Sequence, residues 1–208
     1  MPSIDEQSLQ SYFQDKLDRF GFTPRGVDWN SVEAQENRFA QLARVIRSEP
    51  GEPFSLLDYG SGFGALYDFL ARLGFRPIYT GFDFVPAMVA KGRETHPANP
   101  DCAFSADEAA LAPVDYVIAS GIFNIRLETG EQAWREYVLS ILPRMDTLAG
   151  KGFAFNMLTS YSDPEYMKSH LYYADPCFFF DYCKRHFSKS VALLHDYGLY
   201  DFTILVRK

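Results

Sequence analysis

The sequence predicts an α/β fold: a doubly wound sheet of about seven strands with an antiparallel terminal strand, preceded by an N-terminal helical extension. Three observations carry that reading. Short apolar runs alternate with helical periodicity after residue 50, the pattern of a sheet wound by crossover helices. Leu56-Leu57-Asp58-Tyr59-Gly60-Ser61-Gly62-Phe63-Gly64 reads as a strand, an acid and a glycine-rich turn, and Leu66, Phe69, Leu70 and Leu73 then share one helical face. The last two strand patterns, 190–195 and 200–206, are joined only through Asp196-Tyr197-Gly198, a connection short enough to imply an antiparallel pair.

The elements follow in order. Ser3-x-x-Glu6 is a capping box, and Leu9, Phe13, Leu17 and Phe20 form the stripe of a first helix. Residues 21–29, rich in Gly and Pro, break the pattern. Asn30-x-x-Glu33 then caps a second helix with Gln35, Phe39, Leu42 and Ile46 on one side, and Glu49-Pro50-Gly51-Glu52-Pro53 ends it. This divides the chain into a helical extension or lid, 1–49, and a main domain, 50–208. Strands are expected at 78–83, 104–108, 114–121 and 152–158. Helices are expected from Pro86, over 131–148 with Trp134, Val138, Ile141 and Met145 inward, and over 176–187. Residues 159–175 form a long irregular insertion, and a long loop in a compact domain is often a binding loop.

The glycine-rich turn is where a ligand is expected, because closely spaced glycines let it approach the backbone beside a helix N-terminus. Gly60-x-Gly62-x-x-Ala65 formally satisfies the dinucleotide fingerprint. Asp58 argues the other way: a carboxylate two residues before the first glycine repels a pyrophosphate and suits S-adenosylmethionine (SAM), which carries a sulfonium and an ammonium and no phosphate. Asp83 ends the second strand, where doubly wound folds place an acid for ribose hydroxyls; it is also a natural helix N-cap. Phe84 would lie beside an adenine, and Asp107 either meets the adenine amino group or caps a short helix.

The order LLDYGSGFG, GFDF, ADEA and DYVIASGIFN resembles motifs one to four of the class I SAM-dependent methyltransferases. The resemblance implies a Rossmann-like sheet and a cofactor site made of Asp58, Tyr59, Gly60, Gly62 and Gly64; Asp83 and Phe84; Asp107 and Glu108; and Ser120, with the segment through Asn124 lining the methyl-transfer site. It covers about residues 50–208. A closer resemblance, to bacterial methyltransferase-like proteins of unassigned substrate, adds GVDWNSVEAQENRF, FNMLTSYSD, YYADP and LHDYGLYDFT. The strand-four segment Ser120-Gly121-Ile122-Phe123-Asn124 lacks the Asn/Asp-Pro-Pro-aromatic sequence of nucleic-acid amino methylases, and it carries no Pro-Cys dipeptide for a cytosine-C5 mechanism.

Composition narrows the partners. A formal net charge of -7 disfavours nucleic acid. There is no 18-residue apolar run, and the polar, acidic N-terminus is unlike a secretory signal, so a cytoplasmic protein without membrane partners is expected. Three unpaired Cys fit a reducing compartment, and the four His and three Cys form no metal signature. The oligomeric state is not readable.

The expected activity is methyl transfer from SAM, with S-adenosylhomocysteine as product, to an oxygen or nitrogen of a small molecule. Methylation of a protein side chain, a non-catalytic SAM-binding domain and an NAD-dependent oxidoreductase are the alternatives. Arg38 or Gln35, one turn apart on the second helix, would meet the SAM carboxylate. Trp29, Phe123, Asn156, Tyr161, Tyr172 and Tyr173 are the substrate candidates. His195 is the general-base candidate, with Asn124 and Tyr172 as further catalytic candidates.

Overall fold

The computed structural model describes residues 4–97 and 99–208 of the 208-residue chain. Helix α1 spans Glu6–Phe20 and α2 Val32–Ala43, with a 3-10 turn, Pro24–Val27, between them. The strands and helices β1 (Pro53–Tyr59), α3 (Ala65–Arg72), β2 (Arg76–Phe82), α4 (Pro86–Thr95), β3 (Cys102–Ser105) and β4 (Val114–Ala119) follow. Then come α5 (Glu131–Leu148), β5 (Ala149–Leu158), α6 (Pro176–His186), β6 (Ser190–Leu194) and β7 (Asp201–Arg207).

The seven strands form one sheet in the order β3-β2-β1-β4-β5-β7-β6. β3 through β5 pair in parallel, while β7 runs antiparallel to both β5 and β6. The predicted fold class is therefore the observed one. The order reverses between β1 and β4, and ligands in open α/β sheets bind beyond the carboxyl ends of the strands at such a point.

Successive side chains of a strand face opposite sides, and here each side is apolar because each is covered. Leu57, Tyr59, Val117, Phe153, Phe155 and Ile204 pack with Trp134, Val138, Leu142 and Met145 of α5 and Phe179 and Cys183 of α6. Their neighbours Leu56, Tyr116, Ile118, Ala154 and Leu205 pack on the other side against Phe39 and Leu42 of α2, Leu66, Phe69 and Leu70 of α3 and Val89 of α4. Helix α1 joins the two sides across the strand ends: Leu9 belongs to the α5 side, while Leu17 packs on Val85 and Met88.

Several boundaries differ from the sequence reading, each for a local reason. Ser3 lies outside the described residues; the N-cap of α1 is Asp5, whose carboxylate accepts from Ser8 N at 2.9 Å. Ser31 rather than Asn30 caps α2: its backbone is extended and its hydroxyl accepts from Ala34 N. Leu73 is 51% exposed, because α3 ends at Arg72 and the chain turns through Gly74 at φ 83°. Asp83 does not cap α4, whose N-cap is Val85. In α5, Leu142 is fully buried while Ile141 faces a cavity.

Candidate active site

A cavity of about 1500 Å³ opens at the carboxyl ends of β1, β2 and β4 and is roofed by α1, residues 27–30 and α2. Its floor is the turn after β1. Gly60 and Gly62 adopt φ of 85° and 53°, where a side chain is disfavoured, and a Cβ on Gly60 would lie 2.1 Å from Ile122 Cγ2. The amides of this turn are already engaged. Those of Gly60 and Ser61 both donate to the Phe82 carbonyl at 2.8 Å, that of Gly62 to Asp83 Oδ2 at 2.8 Å, and that of Gly64 to the Ser61 carbonyl.

Two buried carboxylates stand beside the turn. Asp83 accepts from the amides of Gly62 and Val85, so it ties the turn to the exit of β2. Burial pushes its pKa up to about 6 against the pull of those two amides. Asp58 accepts from the Tyr79 hydroxyl at 2.7 Å. Burial pushes its pKa up to about 7; the Tyr79 bond opposes this and the charge of Asp83 adds to it. Among the described residues no positive charge offsets that burial at either acid.

The roof is held by a closed ring of contacts. The Arg38 guanidinium lies 4.3 Å from the Trp29 ring centroid and donates to Asp201 Oδ2 at 2.5 Å. Asn156 Nδ2 donates to Asp201 Oδ1, and the Gly121 amide donates to Asn156 Oδ1 at 2.9 Å. Trp29 closes the ring by pressing on Gly121, where a Cβ would meet its ring at 2.4 Å. Arg38 Nε and Ser120 Oγ are buried and have no hydrogen-bond partner among the described residues, and both residues line the cavity.

Of the residues singled out in the sequence, Asp58, Tyr59, Gly60, Gly62, Asp83, Phe84, Glu108 and Ser120 line this cavity together with Gln35, Arg38, Trp29, Asn124 and Tyr173. The structure does not bring the others to it. Gly64 caps α3 with its Cα against the Phe104 ring. Asp107 is exposed and caps a short 3-10 turn through Ala109 N. Phe123 is fully buried, packs edge-on to Phe155, and its carbonyl accepts from Trp134 Nε1. Asn156 is fully buried within the roof ring, and Tyr172 is buried with its amide on the Asn124 carbonyl. Tyr161 is 68% exposed, and its ring lies 5.8 Å from that of His195, itself an exposed residue away from the cavity. Glu108 is held by Tyr59 Oη and by Arg144 Nε at 3.0 Å, so it shapes the wall near Phe84 and Ala106.

Sequence reasoning missed Tyr12, Lys16, Asp28, Lys168, His170 and Asp201, all of which line the cavity. Tyr12 and Lys16, one turn apart beside the apolar stripe of α1, converge on Asp28 at 2.8 and 2.5 Å. Asp28 sits at φ 63°, a left-handed conformation uncommon outside glycine. The one local signal was the i, i+4 spacing of Tyr12 and Lys16; their partner is set by the turn.

No family model matches the chain. It is 52% identical over 169 residues to a Mycobacterium tuberculosis protein named "Putative methyltransferase Rv1506c", an alignment covering 79% of this chain and 98% of that protein. Among solved structures, the DhpI–SAM–HEP complex matches with a TM-score of 0.63 at 12% identity, covering 97% of each chain. Human N-acetylserotonin methyltransferase in complex with SAM gives a TM-score of 0.62 at 13% identity, covering 96% of this chain, which spans 55% of that one. The cyclopropane synthase MmaA2 from Mycobacterium tuberculosis gives 0.50 at 17% identity, covering 71% of this chain and 48% of that one. The structural likenesses bear on the fold, and the sequence relative bears on the family. With the 3-2-1-4-5-7-6 sheet and the acid–glycine turn at its switch point, the chain belongs to the class I S-adenosylmethionine-dependent methyltransferase family.

Proposed function

We propose that the protein transfers the methyl group of SAM to an oxygen or nitrogen of a small molecule. The observation that carries this reading is the chemistry of the glycine turn. With the amides of Gly60, Ser61, Gly62 and Gly64 engaged internally, the turn offers a pyrophosphate few donors, while Asp58 and Asp83 set two buried carboxylates beside it. A cationic ligand without phosphate fits that donor set; a nicotinamide dinucleotide does not.

When bound, SAM supplies an electrophilic methyl on a sulfonium. The chain's part is to hold, orient and keep water away. Asp83 retains lone pairs beyond its two amide bonds for ribose hydroxyls. Phe84, Ala106 and the Tyr59–Glu108–Arg144 group wall an adenine pocket. The unpartnered Arg38 Nε–H and Ser120 hydroxyl, with Gln35, suit the carboxylate of the methionine part. Because Asp201 already balances the charge of Arg38, this arginine contributes a directed donor rather than a free charge. Residues 1–49, through α1 and α2, serve as the roof of the site, which acts in the cytoplasm on a soluble acceptor.

One observation favours a second acceptor class. Tyr161 and Tyr166 of the insertion are 68% and 62% exposed, and Tyr200, 43% exposed, lies beside Tyr166, where a peptide carrying the methylated side chain would lie.

Calorimetric titration of SAM into wild type and Asp83→Ala tests the central reading. Binding that collapses in the variant is expected. Absence of SAM binding, with NAD bound instead, would return the glycine turn to its dinucleotide reading. Methyl transfer to small-molecule fractions, and not to protein, is the result expected over the peptide alternative.

A further inference from the structure

Resting on the proposed methyl transfer, we infer that the acceptor is a hydroxyl compound and that His170 is the general base that takes its proton. Among the described residues His170 is the only histidine that lines the cavity. Its backbone is fixed against the segment that leaves β4. The amides of Arg126 and Leu127 both donate to the His170 carbonyl at 3.0 Å, Ile125 forms an antiparallel bridge with Leu171, and the Tyr172 amide donates to the Asn124 carbonyl at 2.8 Å. Arg126 reinforces the junction through the Leu171 carbonyl at 3.1 Å and the Thr129 carbonyl at 2.7 Å. Leu127 is held at φ 51°, left-handed for a branched residue, a strain that persists only where the surroundings over-determine it. An insertion that merely connected β5 to α6 would not require this double anchor.

The ring, in contrast to the backbone, is free. No hydrogen bond from either ring nitrogen is made to the described residues, and the ring is partly buried 6.3 Å from that of Tyr12. The charged groups around it are Asp28 and Lys16 across the cavity, Lys168 on its own segment and Arg126 on the post-β4 segment. Burial lowers its pKa, Asp28 opposes that, and the three cations add to it, so the imidazole is neutral at physiological pH and able to accept a proton. A neutral amine at that pH needs no base, and an ammonium would face three cations. A hydroxyl needs a base and is itself neutral.

The step balances. The acceptor oxygen forms its bond to the methyl carbon as the carbon–sulfur bond breaks and its electron pair stays on sulfur, giving a neutral thioether. The hydroxyl proton passes to the His170 ring, and the imidazolium then releases it to solvent.

The test uses the full chain with methyl-labelled SAM and a panel of phenols and sugar alcohols, each matched with the corresponding amine. Label on hydroxyl compounds is expected, with kcat falling at least about 10²-fold in His170→Asn and His170→Ala while SAM affinity is unchanged. Partial recovery of His170→Ala by added imidazole is expected, which a packing role would not produce. The wild-type rate should rise with pH and level off as the imidazole becomes neutral. Independently of turnover, NMR titration should show a ring resonance that titrates below the ordinary histidine range and is missing from His170→Asn. Label on amines alone, or on no hydroxyl compound while SAM binds, overturns the inference. So does full kcat in both variants, or a ring that titrates above the ordinary range. Failure of the wild type to bind SAM would instead remove the reading beneath it.

Discussion

Replacing Asp201 with Ala isolates what the buried ring under the roof contributes. The Asp201 side chain is fully buried and that of Arg38 is 8% exposed, so their 2.5 Å contact is poorly screened by solvent. The substitution leaves the guanidinium with its bond to the Ala34 carbonyl and its stacking on Trp29, but without a counter-charge. It also orphans Asn156 Nδ2, which is within a fully buried side chain. Removing one member of a buried pair costs about 3–5 kcal/mol. An orphaned donor alone costs about 1–3 kcal/mol, and because the two losses share one carboxylate they overlap rather than add. We therefore expect a loss of about 4 kcal/mol in urea unfolding, equivalent to a Tm drop of about 8–16 °C for a chain of this length. Arg38→Met combined with Asp201→Leu removes both charges and should lose far less than the sum of the single variants. A loss under about 1 kcal/mol for Asp201→Ala, or strict additivity in the double variant, would refute the argument that this pair is desolvated and coupled.

Asp58 and Asp83 predict opposite pH trends for binding and for stability. Their folded pKa values, about 7 and about 6, lie above the ordinary carboxylate value of 3.8 that holds in the unfolded chain, so the folded protein holds extra protons in that window. Stability without ligand should be highest below about pH 4 as far as these two groups are concerned, and should decline as pH rises toward 7. Affinity for cationic SAM should rise across the same range as the acids ionise; calorimetry showing a flat affinity between about pH 5.5 and 8 would contradict this. Gly60→Ala places a Cβ 2.1 Å from Ile122 at φ 85°, and should lower SAM affinity at least about tenfold while far-ultraviolet circular dichroism is retained. Trp134→Phe removes the 2.8 Å bond to the Phe123 carbonyl and should cost about 1–3 kcal/mol in urea unfolding, with SAM affinity within about twofold of wild type.

What was legible in the sequence separates along a physical line. The sheet could be read because both its faces are covered, which writes each strand as an apolar run, and α5 was bounded by strong periodicity over 18 residues. Caps were less secure: Asn30 and Ser31 are both good N-caps, and the choice falls to whichever residue the incoming turn leaves extended. The glycine-turn side of the cavity was legible for the same reason as the strands. The acid, the glycines and the second acid lie at strand ends, where a register that pairs Asp58 with Gly81 and Tyr59 with Phe82 brings Asp83 level with the glycine turn. Even there Asp83 surprised, since its bond to Gly62 crosses between strands.

The rest of the cavity follows another rule. Arg38 meets Asp201 across 163 positions, and Tyr12 meets Asp28 across a turn whose left-handed residue no local pattern announces. His195 reads as a base candidate because it follows the β6 pattern beside Asp196 and Tyr197. His170 lay in an aperiodic stretch, and its position follows from the pairing of residues 170–172 with residues 124–127. Loops carry binding and chemistry because they are free of the periodic demands of a core, and that same freedom removes the pattern by which a sequence reveals them. A fold of this kind can therefore show the floor of its cavity in one short motif while the walls are decided by contacts made only after the sheet has closed around them.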